Sequence, residues 1–173
     1  MPALELVAVP HNALNVLVKL SIKTFKETFA DQNTAANMEH YVRAKLNPSQ
    51  LEKEHLNPNS EFYFVYQKKQ LIGYLKLNFK DAQSEQVLEG KAFELERIYL
   101  LRQKQRQGLG KQLFQEAINI GKAKGYKKLW LGVWEHNHPA LAFYQKLGLR
   151  PFSSHTFLLG SDPQTDLLLE LTF

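Results

Sequence analysis

Gln105, Arg106, Gln107, Gly108, Leu109, Gly110 and Lys111 form the stretch of this chain best suited to chemistry. They follow an apolar, strand-like run from Leu95 to Leu101 and open a helical run from Gln112 to Lys124. A strand that feeds a glycine-bearing turn and then a helix start leaves several backbone N–H groups without intrahelical acceptors. The helix dipole adds partial positive charge at the same end. Together these predict an anion site suited to a phosphate or pyrophosphate. Gly108 and Gly110 would allow close backbone approach and positive φ. A dinucleotide fingerprint would want a third small residue where Leu113 stands, and an acid about twenty residues on, where Lys128 stands. A Walker A loop would want glycine near position 105 and Ser or Thr after Lys111, where Gln105 and Gln112 stand. The pattern that remains is Gln-x-x-Gly-x-Gly.

Glu94 and Glu96 are the second feature. They alternate with Phe93, Leu95 and Arg97 along one strand, so they share a face. The structural alternative for Glu96 is an edge carboxylate or one paired with Arg97. The histidines invite a metal test. Glu135-His136-Asn137-His138 lacks the helical two-His zinc spacing, and even with His155 as a third ligand the reading expects no metal.

These residues need a scaffold. Leu4 to Val9 reads as a strand. His11 to Phe29 carries Leu14, Leu17, Val18 and Phe25 at helical spacing. Asn33 to Leu46 reads as a second helical region capped by Asn33 or Thr34, and a short helix starts at Pro48 and ends near Asn57-Pro58. Glu61 to Gln67 and Leu71 to Lys80 read as a hairpin turning at Lys68-Lys69-Gln70. Asp81 to Gly90 is a polar connection before the strand Phe93 to Leu101. Past the glycine loop come a strand from Lys128 to Trp134 and a helix from His138 to Leu147. Asn137 is placed to cap that helix, Pro139 sits in its first turn and Gly148 stops it. Strands near Pro151 to Leu159 and Asp166 to Thr172 close the chain. The unit from Phe93 to Trp134 is a right-handed crossover, so its two strands should run parallel. The expected class is α/β: a mixed, twisted sheet with helices on both faces, in one domain over residues 1–173.

With 173 residues and 44% hydrophobic content, the chain can bury a sizeable core. It has no cysteine, which excludes disulfides, thiolate catalysis and cysteine metal sites. The first residues lack a signal-peptide pattern, and no run approaches the roughly 18 apolar residues of a membrane span. The reading is therefore cytoplasmic, with no membrane partner. A net charge of +5 suits phosphate-rich ligands. Much of it lies near the loop, at Arg102, Lys104, Arg106, Lys111, Lys122, Lys124, Lys127 and Lys128. For Lys122 to Lys128 a solvated helix face is the plainer reading.

Gln105 to Gly110 resembles the coenzyme A pyrophosphate loop of the GNAT acyltransferases. Asn137, Ala140, Phe143, Tyr144 and Gly148, one helix and one strand later, resemble that family's second cofactor motif. Ile72 to Asn78, Glu96 to Tyr99, Trp130 to Glu135, His155 to Gly160 and Gln164 to Asp166 are similar to the PaiA type of bacterial polyamine acetyltransferase. The resemblance implies the GNAT fold, with about seven strands, and acetyl-CoA as cosubstrate. It also implies a small amine acceptor, most simply spermidine or spermine. Gln105 to Lys111 would hold the diphosphate. Ile98, Tyr99 and Leu100 would pair through their backbone with the pantetheine arm, in a gap where the strands of Leu95 and Leu129 splay. Asn137 would contact the pantetheine or the loop, or serve simply as a helix cap.

Tyr144 would be the general acid that protonates the departing thiolate; its plain alternative is a core tyrosine. Presenting an alkylamine of pKa about 10.4 as the neutral form at pH 7 costs about 4.6 kcal/mol, so a carboxylate base is expected, Glu96 first and Glu94 second. Glu39, Glu85, Glu89 and Glu135 are candidates for an acidic patch around a polycation. Other acceptors stay open, among them a protein N-terminus, a lysine or a small metabolite. So does a non-catalytic regulator that senses coenzyme A or binds nucleic acid, ranked lower because no helix-turn-helix or aromatic RNA-binding signature is present. A homodimer is also left open.

Overall fold

A computed structural model describes residues 3–88 and 90–173. Met1, Pro2 and Glu89, the last an acidic-patch candidate, lie outside the described residues. Seven strands form one sheet: β1 (Glu5–Ala8), β2 (Ser60–Gln67), β3 (Gln70–Asn78), β4 (Ala92–Leu100), β5 (Lys128–Trp134), β6 (Arg150–Leu159) and β7 (Asp162–Thr172). Their order across the sheet is β1-β2-β3-β4-β5-β7-β6. Among the described residues only the β4–β5 pairing is parallel, as a crossover through a helix requires.

Five α-helices cover the sheet: α1 (Leu14–Phe29), α2 (Ala35–Lys45), α3 (Pro48–Leu56), α4 (Leu109–Ala123) and α5 (His138–Lys146). Local chemistry sets their starts. Thr34 accepts from the Asn37 N–H at 3.1 Å to cap α2. Asn47 accepts from the Gln50 N–H at 2.8 Å to cap α3, with Pro48 in the first turn. Asn137 accepts from the Ala140 N–H at 3.3 Å to cap α5. The cap of α3 and the exact start of the helix at Leu109 extend the sequence reading. The β2–β3 turn is tighter than its composition announces: Lys68 and Lys69 both take left-handed φ, 49° and 63°, and Gln70 already belongs to β3. Neither asparagine nor glycine signals that turn.

Two cores flank the sheet. On one face Leu17 of α1 and Leu51 of α3 pack with Phe62, Phe64 and Tyr74. On the other, Leu113 and Phe114 of α4 pack with Leu75, Phe93, Leu129 and Val133. Gly121 is the contact point of α4 with β4, because an added Cβ would lie 2.1 Å from the Phe93 ring. Each fully buried side chain of this size contributes roughly 1.5–3 kcal/mol of apolar burial.

One irregularity decides what faces the site. The β3–β4 register slips between Lys76 and Leu77, so Lys76 opposes Arg97 while Leu77 opposes Leu95, and Glu96 is the extra residue of a bulge. Strict alternation would put Arg97 opposite to Glu96. The bulge instead brings Glu94, Glu96, Arg97 and Tyr99 to the α1–α3 face and sends Ile98 and Leu100 toward α4.

Candidate active site

The β4–β5 ladder has three rungs, Ala92 with Lys128, Phe93 with Leu129 and Glu94 with Trp130, and then stops. From Leu95 onward β4 pairs only with β3, and from Leu131 onward β5 pairs only with β7. The edge of β4 at Ile98, Tyr99 and Leu100 is therefore open on one side. An open edge offers N–H and C=O groups in strand spacing to an extended, amide-bearing ligand.

The glycine loop sits at the end of that edge. Gly108 takes φ 77° and ψ −3° as the N-cap of α4, a conformation that costs other residues about 1–2 kcal/mol. It has no capping side chain. The first helical bond runs from the Gln112 N–H to the Gly108 carbonyl at 3.3 Å, which leaves the N–H groups of Gly108, Leu109, Gly110 and Lys111 without acceptors among the described residues. Four free amides at a helix start make the anion site expected from the sequence.

Other loop residues have structural duties. Gln105 donates from Nε2 to the Leu100 carbonyl at 3.0 Å, tying the loop to the strand end. Gln107 donates to the Gln103 carbonyl at 3.0 Å. Arg106 takes φ 60°, an unanticipated left-handed residue. Gly110 differs from the expectation of positive φ: it lies within α4, and its bare Cα lets the Phe143 ring of α5 come within 3.4 Å of an added Cβ.

The basic flank divides. Arg102 turns to α1, accepting no role at the loop: its N–H meets the Glu27 carboxylate at 2.9 Å and its guanidinium meets the Glu27 carbonyl. Lys124 pairs with Glu61 at 2.6 Å and Lys122 lies over Phe173. Lys104, Arg106 and Lys111 remain beside the free amides.

Tyr144 on α5 is buried, with ring contacts to Phe114 at 6.2 Å and Phe143 at 5.2 Å between centroids. Burial pushes its phenol well above the ordinary tyrosine value, so it keeps its proton through the physiological range. Tyr99, on the other side of the open edge, is also pushed well up, by burial first and then by Tyr74, Tyr41 and Tyr144, against the pull of Arg97. Tyr99 lies with Tyr74 on the α1–α3 face of the sheet, and Tyr144 packs in the core on the α4 face.

On the α1–α3 face a cavity of about 20 Å³ is lined by Phe25, Tyr41, Leu46, Tyr74, Arg97 and Tyr99. Tyr41 stacks on Phe25, with ring centroids 4.4 Å apart. Its phenol is pushed up to about 12 by burial and by the charges of Glu96, Tyr74 and Asp166, with Arg97 opposing.

Glu96 is tied by Lys76, by Asn78 at 2.7 Å and by Arg97 at 3.5 Å. Burial would push its carboxyl up, but Arg97 and Lys76 outweigh that and hold it down at about 2. Glu54 of α3 completes the network, 3.0 Å from Lys76 and 2.9 Å from Arg97. The Arg97-paired alternative for Glu96 is the arrangement observed. Glu94 is 3% exposed and saturated: Ser84 donates from its N–H at 2.7 Å and from its hydroxyl at 2.5 Å, and Asn78 donates at 2.9 Å. Burial, then Glu96, push its carboxyl up against those donors. Glu94 therefore anchors the 81–90 connection over the sheet, as does the Trp130 indole N–H, which donates to Gln83 at 2.7 Å.

The sequence profile described as the Acetyltransferase (GNAT) family matches residues 22–149. The chain belongs to this acetyltransferase family. An uncharacterized N-acetyltransferase from the pepI 3′ region of Lactobacillus delbrueckii subsp. lactis is 42% identical over 170 residues, 98% of each chain. A spermidine N(1)-acetyltransferase from Thermoplasma acidophilum is 28% identical over 141 residues, 79% of this chain and 82% of the relative. The crystal structure of PaiA N-acetyltransferase from Thermoplasma acidophilum in complex with coenzyme A superposes with a TM-score of 0.79 at 24% identity, over 99% of both chains. The acetyltransferase fold is thus the one the motifs implied.

Three site residues escaped the sequence reading as functional groups: Tyr41, Asp166 and His155 in its ion-pairing role. Asp166 lies directly across β6–β7 from His155, whose Nε2 meets Asp166 Oδ2 at 3.2 Å, and His155 Nδ1 meets the Glu85 carboxylate. Only knowledge that β7 begins at Asp162 brings that pair into register. Of the other acidic-patch candidates, Glu39 pairs with Arg43 on the surface and Glu135 lies beside His136 at 3.6 Å. No group of three or more His, Asp or Glu residues with metal-binding geometry occurs among the described residues.

Proposed function

We propose that this acetyltransferase moves the acetyl group of acetyl-CoA to a primary amine, with a polyamine such as spermidine or spermine as acceptor. The observation that carries the reading is the open β4 edge at Ile98 to Leu100, leading straight to four free amides at Gly108 to Lys111. An extended arm with amide groups and a terminal diphosphate suits that combination. Lys104, Arg106 and Lys111 supply the positive charge a further phosphate needs. Gln105 holds the loop to the strand, and Asn137 caps α5 and so fixes where Tyr144 stands.

In this reading the amine nitrogen attacks the thioester carbonyl and the C–S bond breaks. The protonated Tyr144 phenol gives its proton to the departing sulfur. The buried Glu54, Lys76, Glu96 and Arg97 network shapes the acceptor side. Support for a polycationic acceptor comes from the spermidine acetyltransferase among the relatives. The test is incubation with acetyl-CoA and a panel of spermidine, spermine, a simple alkylamine, lysine and a peptide N-terminus, with mass detection of products. Preferred acetylation of spermidine or spermine is expected. Preferred acetylation of a peptide N-terminus or lysine would replace the polyamine reading, and failure to bind acetyl-CoA would remove the transferase reading.

A further inference from the structure

Resting on that reading, the structure also bears on how the acceptor loses its proton. Glu94 is sealed and saturated with donors, and Glu96 is locked by Lys76, Arg97 and Asn78. Both Glu94 oxygens are taken by donors, and Glu96 serves as counter-charge to two cations that hold its carboxyl down at about 2, which makes it a poor proton acceptor. We propose that Asp166 is the base that takes the proton from the amine, and that His155 and Glu85 are the positioning residues that hold it.

Four observations converge on Asp166. It stands on β7, one strand beyond the gap, opposite Trp134 on the stretch of β5 past the last rung shared with β4. It leans over Gly132, where an added Cβ would lie 3.3 Å from Oδ2; the missing side chain makes the room the carboxylate occupies. Its Oδ2 is held by His155 at 3.2 Å, while Oδ1 has no partner among the described residues and is not sealed from solvent. Behind it, Glu85 from the 81–90 connection closes a Glu85–His155–Asp166 chain.

The titratable groups around Asp166 are His155 from β6 and Glu85 from the connection, and the Tyr41 phenol of α2 feels its charge. Burial pushes the Asp166 carboxyl up, His155 pulls it down and Glu85 pushes it up again. A raised carboxyl has more proton affinity than an ordinary one, which suits a base.

The step balances. One N–H proton of the ammonium passes to Asp166 Oδ1, freeing the nitrogen lone pair. The N–C bond forms and the C–S bond breaks, with the Tyr144 proton going to sulfur. The remaining excess proton on the amide nitrogen returns to the Tyr144 oxygen, and Asp166 releases its proton to water. The sum is ammonium plus thioester giving amide, free thiol and one proton.

The experiment is the pH profile of kcat/KM for the full chain and its Asp166→Asn and His155→Gln variants. Two acceptors are compared: a primary alkylamine that the wild type acetylates, and an alkoxyamine that is already neutral at pH 7. Asp166→Asn should lose about 100-fold on the alkylamine at pH 7. The deficit should shrink as pH approaches the amine's own value near 10.4. Turnover of the alkoxyamine and binding of acetyl-CoA should stay within a few fold, which a misfolded or merely loosened site would not allow. His155→Gln removes a group that lowers the Asp166 carboxyl, so the acidic limb of its profile should move to higher pH. An unaltered Asp166→Asn profile, or equal losses on both acceptors, would overturn the proposal while leaving the polyamine reading intact. Acetylation of alkylamines but not of polyamines would do the reverse. No acetylation of any amine would overturn both.

Discussion

Tyr144 is buried, and removing only its phenol oxygen leaves its contacts with Phe114 and Phe143 in place. Tyr144→Phe should therefore lower kcat by about 100-fold or more, with little change in acetyl-CoA affinity or thermal midpoint. Steady-state kinetics beside calorimetric titration would separate the two. Gly108 is the residue where backbone geometry and ligand meet. Gly108→Ala should cost about 1 kcal/mol of stability from its left-handed φ, and should weaken acetyl-CoA binding as the free amides shift. Thermal denaturation and titration of acetyl-CoA read both effects. At this scale the glycine loop and the Asn137 cap were legible, because each is local: a turn residue and a helix start announce themselves within a few positions. The fates of Glu94 and Glu96 were not. Their partners, Ser84, Asn78, Lys76 and Glu54, come from three other segments, and nothing in the neighbourhood of a carboxylate says which donors will surround it.

Among the elements, the approach of α4 to β4 governs the gap. Gly121 lies against Phe93, two residues before the β4 strand parts from β5. Gly121→Ala forces a methyl into that ring and should destabilise by about 1–3 kcal/mol, lowering the denaturant midpoint. The helices and strands were legible from periodicity and caps, and the parallel crossover from handedness. The bulge at Glu96 was not, since an extra residue in one strand is visible only against its partner. That is why Arg97 appears to alternate away from Glu96 in the sequence and joins it in the structure.

For the whole molecule, charge has two consequences. The chain carries a net +5, and Lys104, Arg106 and Lys111 flank the free amides, so association with acetyl-CoA should slow as ionic strength rises, as stopped-flow measurements can check. The second is acid stability. Glu96 is held down at about 2 from an ordinary 4.5, so its contribution is complete above pH 4.5 and is lost as pH falls toward 2. Glu96→Gln leaves Lys76 and Arg97 short of a counter-charge. It should cost about 3 kcal/mol at neutral pH, and unfolding by urea across an acid series should show a weaker decline between pH 4.5 and 2.

The one-residue slip in β4 also limits how this chain can change length. Glu96 is the extra residue, so its loss would restore plain alternation and leave Arg97 and Tyr99 on their present face, whereas loss of Ile98 would turn Tyr99 under α4. Past the bulge, from Ile98 to Leu100, insertions and deletions should therefore be tolerated only in pairs, while at Glu96 itself the strand can shed one residue and keep its two faces.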